Sequence, residues 1–206
     1  MKKIEGNGAG KDRPRRGRRS LFLRLAAGAA LAGLLAAGSF GQAGQSPTLS
    51  EYDIKAVFLY NFTRYVQWPE ASEAETFTIA VFGESEITAP LREIAKKKTV
   101  GSKPLAIRQC FELEQIGHPQ ILFIAKSEAR RVAQVLKLTE GWDILTVGET
   151  DGLAWSKGIA INFVLQEEAV KFEISAKAVD KTRLKIVSQL LKLAILVDGR
   201  EGMNRS

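Results

Sequence analysis

"QILFIAKSEARRVAQVLKLTEGWDILTVGE", Gln120 to Glu149, decides the fold class. "QILFIAK" is continuously apolar, as a strand buried on both faces of a sheet must be. "EARRVAQVLKL" reads as a helix and "DILTVGE" as the next strand. A strand, a helix and a second strand in so short a span form a crossover unit, and such units build parallel sheets. Upstream, "TFTIAVFG" (Thr76–Gly83) alternates as a strand, "ITAPLREIAKKK" is a short helix with Pro90 near its start, and "PLAIRQC" is a strand. Downstream, "GIAINFVLQEEAVKFEIS" reads as a hairpin with Gln166 to Ala169 as its polar turn. The expectation is a single α/β domain of three layers. Its sheet is mostly parallel with an antiparallel hairpin edge, and helices cover both faces.

Two long helices complete the pattern. Ser50 and Asp53 form a capping box for a helix that runs to about Val66 and stops ahead of Pro69, since a proline disfavours helical geometry in the residue before it. This stretch, "IKAVFLYNFTRYVQWPE", holds five of the 16 aromatic residues of the chain. At about 100° per residue, Ile54, Val57, Phe58, Phe62, Tyr65 and Trp68 fall on one broad face, expected to be core. Asn61 lies within that stripe, so its amide is expected to be hydrogen-bonded inside the fold. Tyr60 points the other way, beside Ala56, Thr63 and Gln67, as a contact anchor. The second helix is expected over Ala176 to Val197 and is apolar on two faces. Leu184, Val187, Leu191 and Ile195 form one; Ile186, Leu190 and Leu193 belong to the other. Such a helix is either buried between layers or covers a second subunit through Ile186, Leu190 and Leu193.

The first 43 residues read as a signal peptide. Eight basic residues precede Arg24, the 14-residue uncharged run Leu25–Gly38 follows, and small residues come next, with cleavage after Ala43 or Gly41. The apolar run is short for a membrane span. "RRSLF" also fits a twin-arginine leader, but ordinary Sec export is the favoured route. Residues 1–43 carry nine Lys and Arg against two Asp and Glu; the remaining chain carries 21 of each. The basic character therefore belongs to the leader, and no global electrostatic case for nucleic-acid binding survives. Roughly 160 residues remain, enough for one domain (44–206) with its own core.

The chemistry-bearing residues are sparse. Cys110 is the only cysteine, so no intrachain disulfide can form. It is read as a buried thiol on the opposite strand face from Leu105 and Ile107, or else as an intermolecular bridge. His118 is the sole histidine and precedes Pro119 in a loop, which rules out a multi-histidine metal site. There is no G-x-S-x-G, H-E-x-x-H, paired C-x-x-C or phosphate-cradling loop. "FGESEI" places Glu84 at the carboxyl end of a strand, where α/β sheets bind ligands, but one glycine and an acid carry little. No catalytic residue, metal or cofactor is expected.

"IKAVFLYNFTRYVQWPE", "ILFIAKSE", "ILTVGE", "GIAINFV", "VKFEIS" and "RLKIVSQLLKLAILV" resemble, in order, the segments of the YfiR-like family. The resemblance spans about 52–197. Its motif falls on Leu59, Tyr60, Asn61, Phe62, Trp68 and Pro69, then Asn162 and Phe163, then Ser188, Leu191 and Leu193. It implies a small periplasmic α/β protein without catalytic activity, forming homodimers. The family's namesake holds the sensor portion of a membrane-bound diguanylate cyclase, and an outer-membrane lipoprotein can sequester it. Two features depart from the pattern: Lys157-Gly158 stands where relatives carry Gly-Gly, and the cysteine pairs that brace some relatives are absent. The expected function is thus a periplasmic regulator working by protein contact, with Tyr60, Gln67 and Trp68 at the partner. The alternative is a small-ligand binder using the crevice near Glu84 and Gly148.

Overall fold

The structure is a computed structural model that describes residues 49–69 and 74–197. The signal peptide and cleavage sites read from the sequence lie outside the described residues. In chain order the elements are α1 (Glu51–Tyr65), β1 (Val66–Gln67), β2 (Phe77–Phe82), α2 (Thr88–Ala95), β3 (Thr99–Val100), β4 (Lys103–Cys110) and β5 (Ile121–Ile124). They continue through α3 (Val132–Leu138), β6 (Leu145–Gly148), α4 (Leu153–Lys157), β7 (Ile161–Gln166), β8 (Ala169–Ile174), α5 (Ala176–Val179), β9 (Lys185–Ile186), α6 (Ser188–Leu193) and β10 (Ile195–Leu196).

The main sheet has the order β10-β8-β7-β6-β5-β2-β4-β3. Strands β4, β2, β5, β6 and β7 pair in parallel, and the β7–β8 hairpin is antiparallel. The hairpin does not form the edge: β10 adds to β8 in parallel, with Ile195 opposite Glu173, and β3 turns back on β4 at the far side. Both hairpin turn residues, Glu167 (φ 52°) and Glu168 (φ 62°), adopt left-handed backbone, as a two-residue turn between twisted strands requires.

Alternation divides the core. Ile121, Phe123, Val81 and Phe163 point to the face covered by α1, α2 and α5–α6, with Leu59, Phe62 and Leu91 packed on them. Leu122, Ile124, Phe82 and Cys110 point to the face covered by α3 and α4, against Val132, Val135 and Leu153. Three layers therefore form, as read from the central crossover. Cys110 is buried on the face opposite Leu105, and burial raises its thiol pKa above the usual value.

Two expectations change. The continuous helix over 176–197 is instead α5, β9, α6 and β10. Its amides are captured from outside: Arg183 N donates to Asp143 Oδ1, Val187 N to Tyr65 O and Val197 N to Ile174 O. Tertiary partners outbid the i–4 carbonyls here, and β9 pairs antiparallel with β1, Val66 opposite Ile186. The core face of α1 is also rotated. Lys55, Ala56, Leu59, Phe62 and Val66 are buried, whereas Val57 is 46% exposed and Asn61 is half-buried on the outer side.

Candidate functional site

Helix α1 organises the surface features. Its capping box forms as read: Ser50 Oγ accepts from Asp53 N at 3.1 Å, and Asp53 Oδ2 accepts from Ser50 N at 2.9 Å. The Ser50 hydroxyl also donates to Asp53, and these bonds hold that carboxyl below the usual carboxylate range. On the inner face Phe62 lies 5.9 Å from Phe163 and 5.2 Å from Phe172, and Phe58 lies 5.4 Å from Phe172. This ring cluster fastens α1 to the hairpin.

Lys55 sits at the amino-terminal end of this buried face, 5% exposed. Its Nζ donates to Glu149 Oε2 at 2.7 Å and pairs with Glu51 Oε1 at 2.5 Å, 4.7 Å from the centre of the Tyr52 ring. Glu149, directly after β6, has a side chain only 2% exposed, and its other oxygen accepts from Lys126 N at 3.1 Å. Burial alone would lower the ammonium's pKa. The bonds to Glu149 and Glu51 outweigh it and raise the group above its ordinary value of 10.5. The pair ties α1 to the carboxyl ends of β5 and β6. It was missed because a lysine in a helix normally marks the solvent face. The available signals were the Glu51–Lys55 spacing of four and an acid closing "TVGE".

The outer face of α1 carries Val57, Tyr60, Asn61 and Arg64, at i, i+3, i+4 and i+7. With Glu93, Ile94, Lys97 and Lys98 they line a groove of about 410 Å³, most of it apolar. Tyr60 forms one wall: half-buried, its hydroxyl donates to Thr99 O at 3.1 Å. It does not stand free as expected; the ring is held in one orientation.

At the far end of α1, Gln67 is exposed in β1 opposite Lys185, while Trp68 is half-buried. Trp68 Nε1 donates to Gln120 O at 3.1 Å, and its ring meets Phe77 edge-on at 5.0 Å. Trp68 and Pro69 border a cleft of about 490 Å³ at the amino ends of the strands, with Trp142, Asp143 and Arg183. His118 packs against Trp142 at a tilt, ring centres 3.9 Å apart, and Arg183 binds Asp143 with contacts of 2.5 and 3.0 Å. Tyr60 and Trp68 therefore belong to different surface features.

The three residues read as a dimer face are not brought together on one helix face. Ile186 pairs in β9, Leu190 is buried at 3% exposure and Leu193 is 69% exposed. The carboxyl-end crevice is filled near both glycines. A side chain at Gly83 would meet Ser127 and Glu128, and one at Gly148 would meet Asn162 Oδ1 at 2.9 Å. Glu84 is exposed. A pocket of about 270 Å³ lies at this end beside Lys55, Glu149 and Asp151.

The YfiR/HmsC-like family profile matches residues 52–195, from the first turn of α1 to β10. The chain belongs to the YfiR/HmsC-like family. No curated protein matches it. Seen as a member of this family, the chain uses its motif residues mainly to build. Phe62 and Phe163 share the ring cluster, and Trp68, just past β1, is tied by its indole to Gln120 O ahead of β5. Asn162 is fully buried against Gly148, its amide without a hydrogen-bond partner among the described residues. Gly158 alone supplies the left-handed cap of α4 (φ 82°), with Lys157 as its last helical residue, so a second glycine is not needed. Among the described residues no group of His, Cys, Asp and Glu could hold a metal, and no helix is long and apolar enough to cross a membrane.

Proposed function

We propose that this YfiR/HmsC-like protein is a non-enzymatic periplasmic regulator that restrains a membrane-bound diguanylate cyclase by binding its sensor region. The observation that carries this reading is the family match across the whole folded domain, 52–195. The geometry supports it in two ways. The motif residues Phe62, Asn162 and Phe163 are spent on packing. The exposed apolar area, in contrast, includes Val57, Leu193 and Leu196, as contact surfaces require. In this reading Tyr60 contributes to the partner surface, Gln67 and Trp68 flank it, and the protein works as a homodimer. An outer-membrane lipoprotein could release the cyclase by capturing the regulator.

The test is capture. Purified residues 44–206 are mixed with the periplasmic segment of each membrane diguanylate cyclase of the host and followed by calorimetry. Saturable one-to-one binding to at least one segment is expected; binding to none contradicts the reading. The 270 Å³ pocket with its buried Lys55–Glu149 pair favours a second reading, a small-ligand binder. In that case a periplasmic metabolite mixture would raise the melting temperature.

A further inference from the structure

The outer face of α1 has a chemistry that specifies what can lie on it. Val57, 46% exposed, and Ile94 floor the groove, and Tyr60 is pinned as its wall by the bond to Thr99 O. Around this apolar floor stand Arg64, Lys97 and Lys98, and among the described residues none of them forms an ion pair. Glu93, the acid lining the groove, is already engaged by Lys96 at 2.6 Å. Cations are favoured at helix ends by the backbone dipole, and three consecutive lysines, Lys96 to Lys98, follow α2, two of them lining the groove with Arg64 from α1's last turn. Residues 57 to 64 run about 10 Å along the helix, the length of two helical turns. An apolar, concave floor with a rim of net positive charge, offset only in part by Glu93, suits an apolar ridge flanked by acids.

We infer that this groove docks an acidic amphipathic helix of the partner protein. Its apolar residues at i, i+3 or i+4 and i+7 lie on Val57, Tyr60 and Ile94, and its carboxylates face Arg64, Lys97 and Lys98. The inference rests on the reading that the protein acts by protein contact, and names the chemistry of that contact. Concavity favours a helix ridge over a flat anionic membrane, which would meet the rim but leave the floor unfilled.

The probe is a 16-residue synthetic peptide with a leucine stripe at helical spacing flanked by glutamates. Its control has lysine at every glutamate position. Binding to 15N-labelled residues 44–206 is followed by amide chemical shifts. The acidic peptide should bind saturably, move resonances of residues 57–64 and 93–98, and weaken as salt rises. The lysine control, or the acidic peptide on Lys97→Glu/Lys98→Glu protein, should bind about ten-fold more weakly or worse. Absent binding, equal binding of both peptides, or shifts mapped elsewhere overturns the inference. So does binding to phosphatidylglycerol vesicles through these residues without binding to the peptide. A cyclase segment captured equally by wild-type and Lys97→Glu/Lys98→Glu protein sinks the groove while leaving the regulator reading intact. Peptide binding without capture of any cyclase segment does the reverse.

Discussion

The two faces of α1 are built from similar residues and do opposite things. The inner face holds a lysine at its amino-terminal end and is buried; the outer face holds a valine and a tyrosine and borders open space. Hydrophobicity did not sort them. The inner face is fixed by partners: Phe163 and Phe172 for the rings, Glu149 for the ammonium. On the outer face Tyr60 is held by Thr99 O, and among the described residues Arg64 forms no ion pair. A buried charge is tolerated where a counter-charge is waiting, and exposed apolar residues carry meaning where they line one continuous surface, as Val57 and Ile94 do in the groove.

The largest effects should come from the inner face. Phe62→Ala empties a fully buried ring site and is expected to cost about 3–5 kcal/mol in denaturant unfolding. Lys55→Met leaves Glu149 buried without its cation, and a loss of about 3–5 kcal/mol is expected. Lys55→Met/Glu149→Leu should recover much of that, short of the bond Glu149 accepts from Lys126 N. If the two single changes were additive, the pair would not be a unit.

The pH dependence follows from the sign of the lysine's shift. Its pKa is raised in the folded state, so its contribution is complete below the unfolded value and is lost as pH rises through the higher folded value. The stability gap between wild type and Lys55→Met should thus stay constant from about pH 6 to pH 9. It should shrink only above the ordinary lysine value of 10.5. A gap that closed already at pH 8 would mean that the pair does not hold the ammonium charged.

Smaller effects are expected outside. Tyr60→Ala removes one exposed hydrogen bond and half-buried ring area, a cost of about 1 kcal/mol by thermal melt. Val57→Glu should change stability by less than about 0.5 kcal/mol, since it places a charge in solvent. A loss at Val57 rivalling that at Phe62 would erase the distinction between the faces.

The same contrast shows what the sequence can carry. The crossover Gln120–Glu149, the hairpin and the capping box at Ser50 were legible because each depends on local pattern alone. The rotation of α1 was not: Lys55 reads as a solvent residue until Glu149, 94 positions away, is brought beside it. The segment after Ser175 failed for a related reason. Its helical periodicity is real, yet Asp143, Tyr65 and Ile174 take its amides and break it into α5, β9, α6 and β10. The groove was half legible: Tyr60 stood out, while Val57 and Asn61 were assigned inward.

The most direct test is the cyclic-di-GMP level of cells lacking this gene, complemented with wild type or Val57→Glu. Each must first be shown folded and present in the periplasm in equal amount. The account predicts that loss of the gene raises cyclic-di-GMP and wild type lowers it again. Val57→Glu, stable but with a negative charge on the groove floor, should leave it raised. A Val57→Glu protein that restores the wild-type level would contradict the assignment of the outer face to the partner.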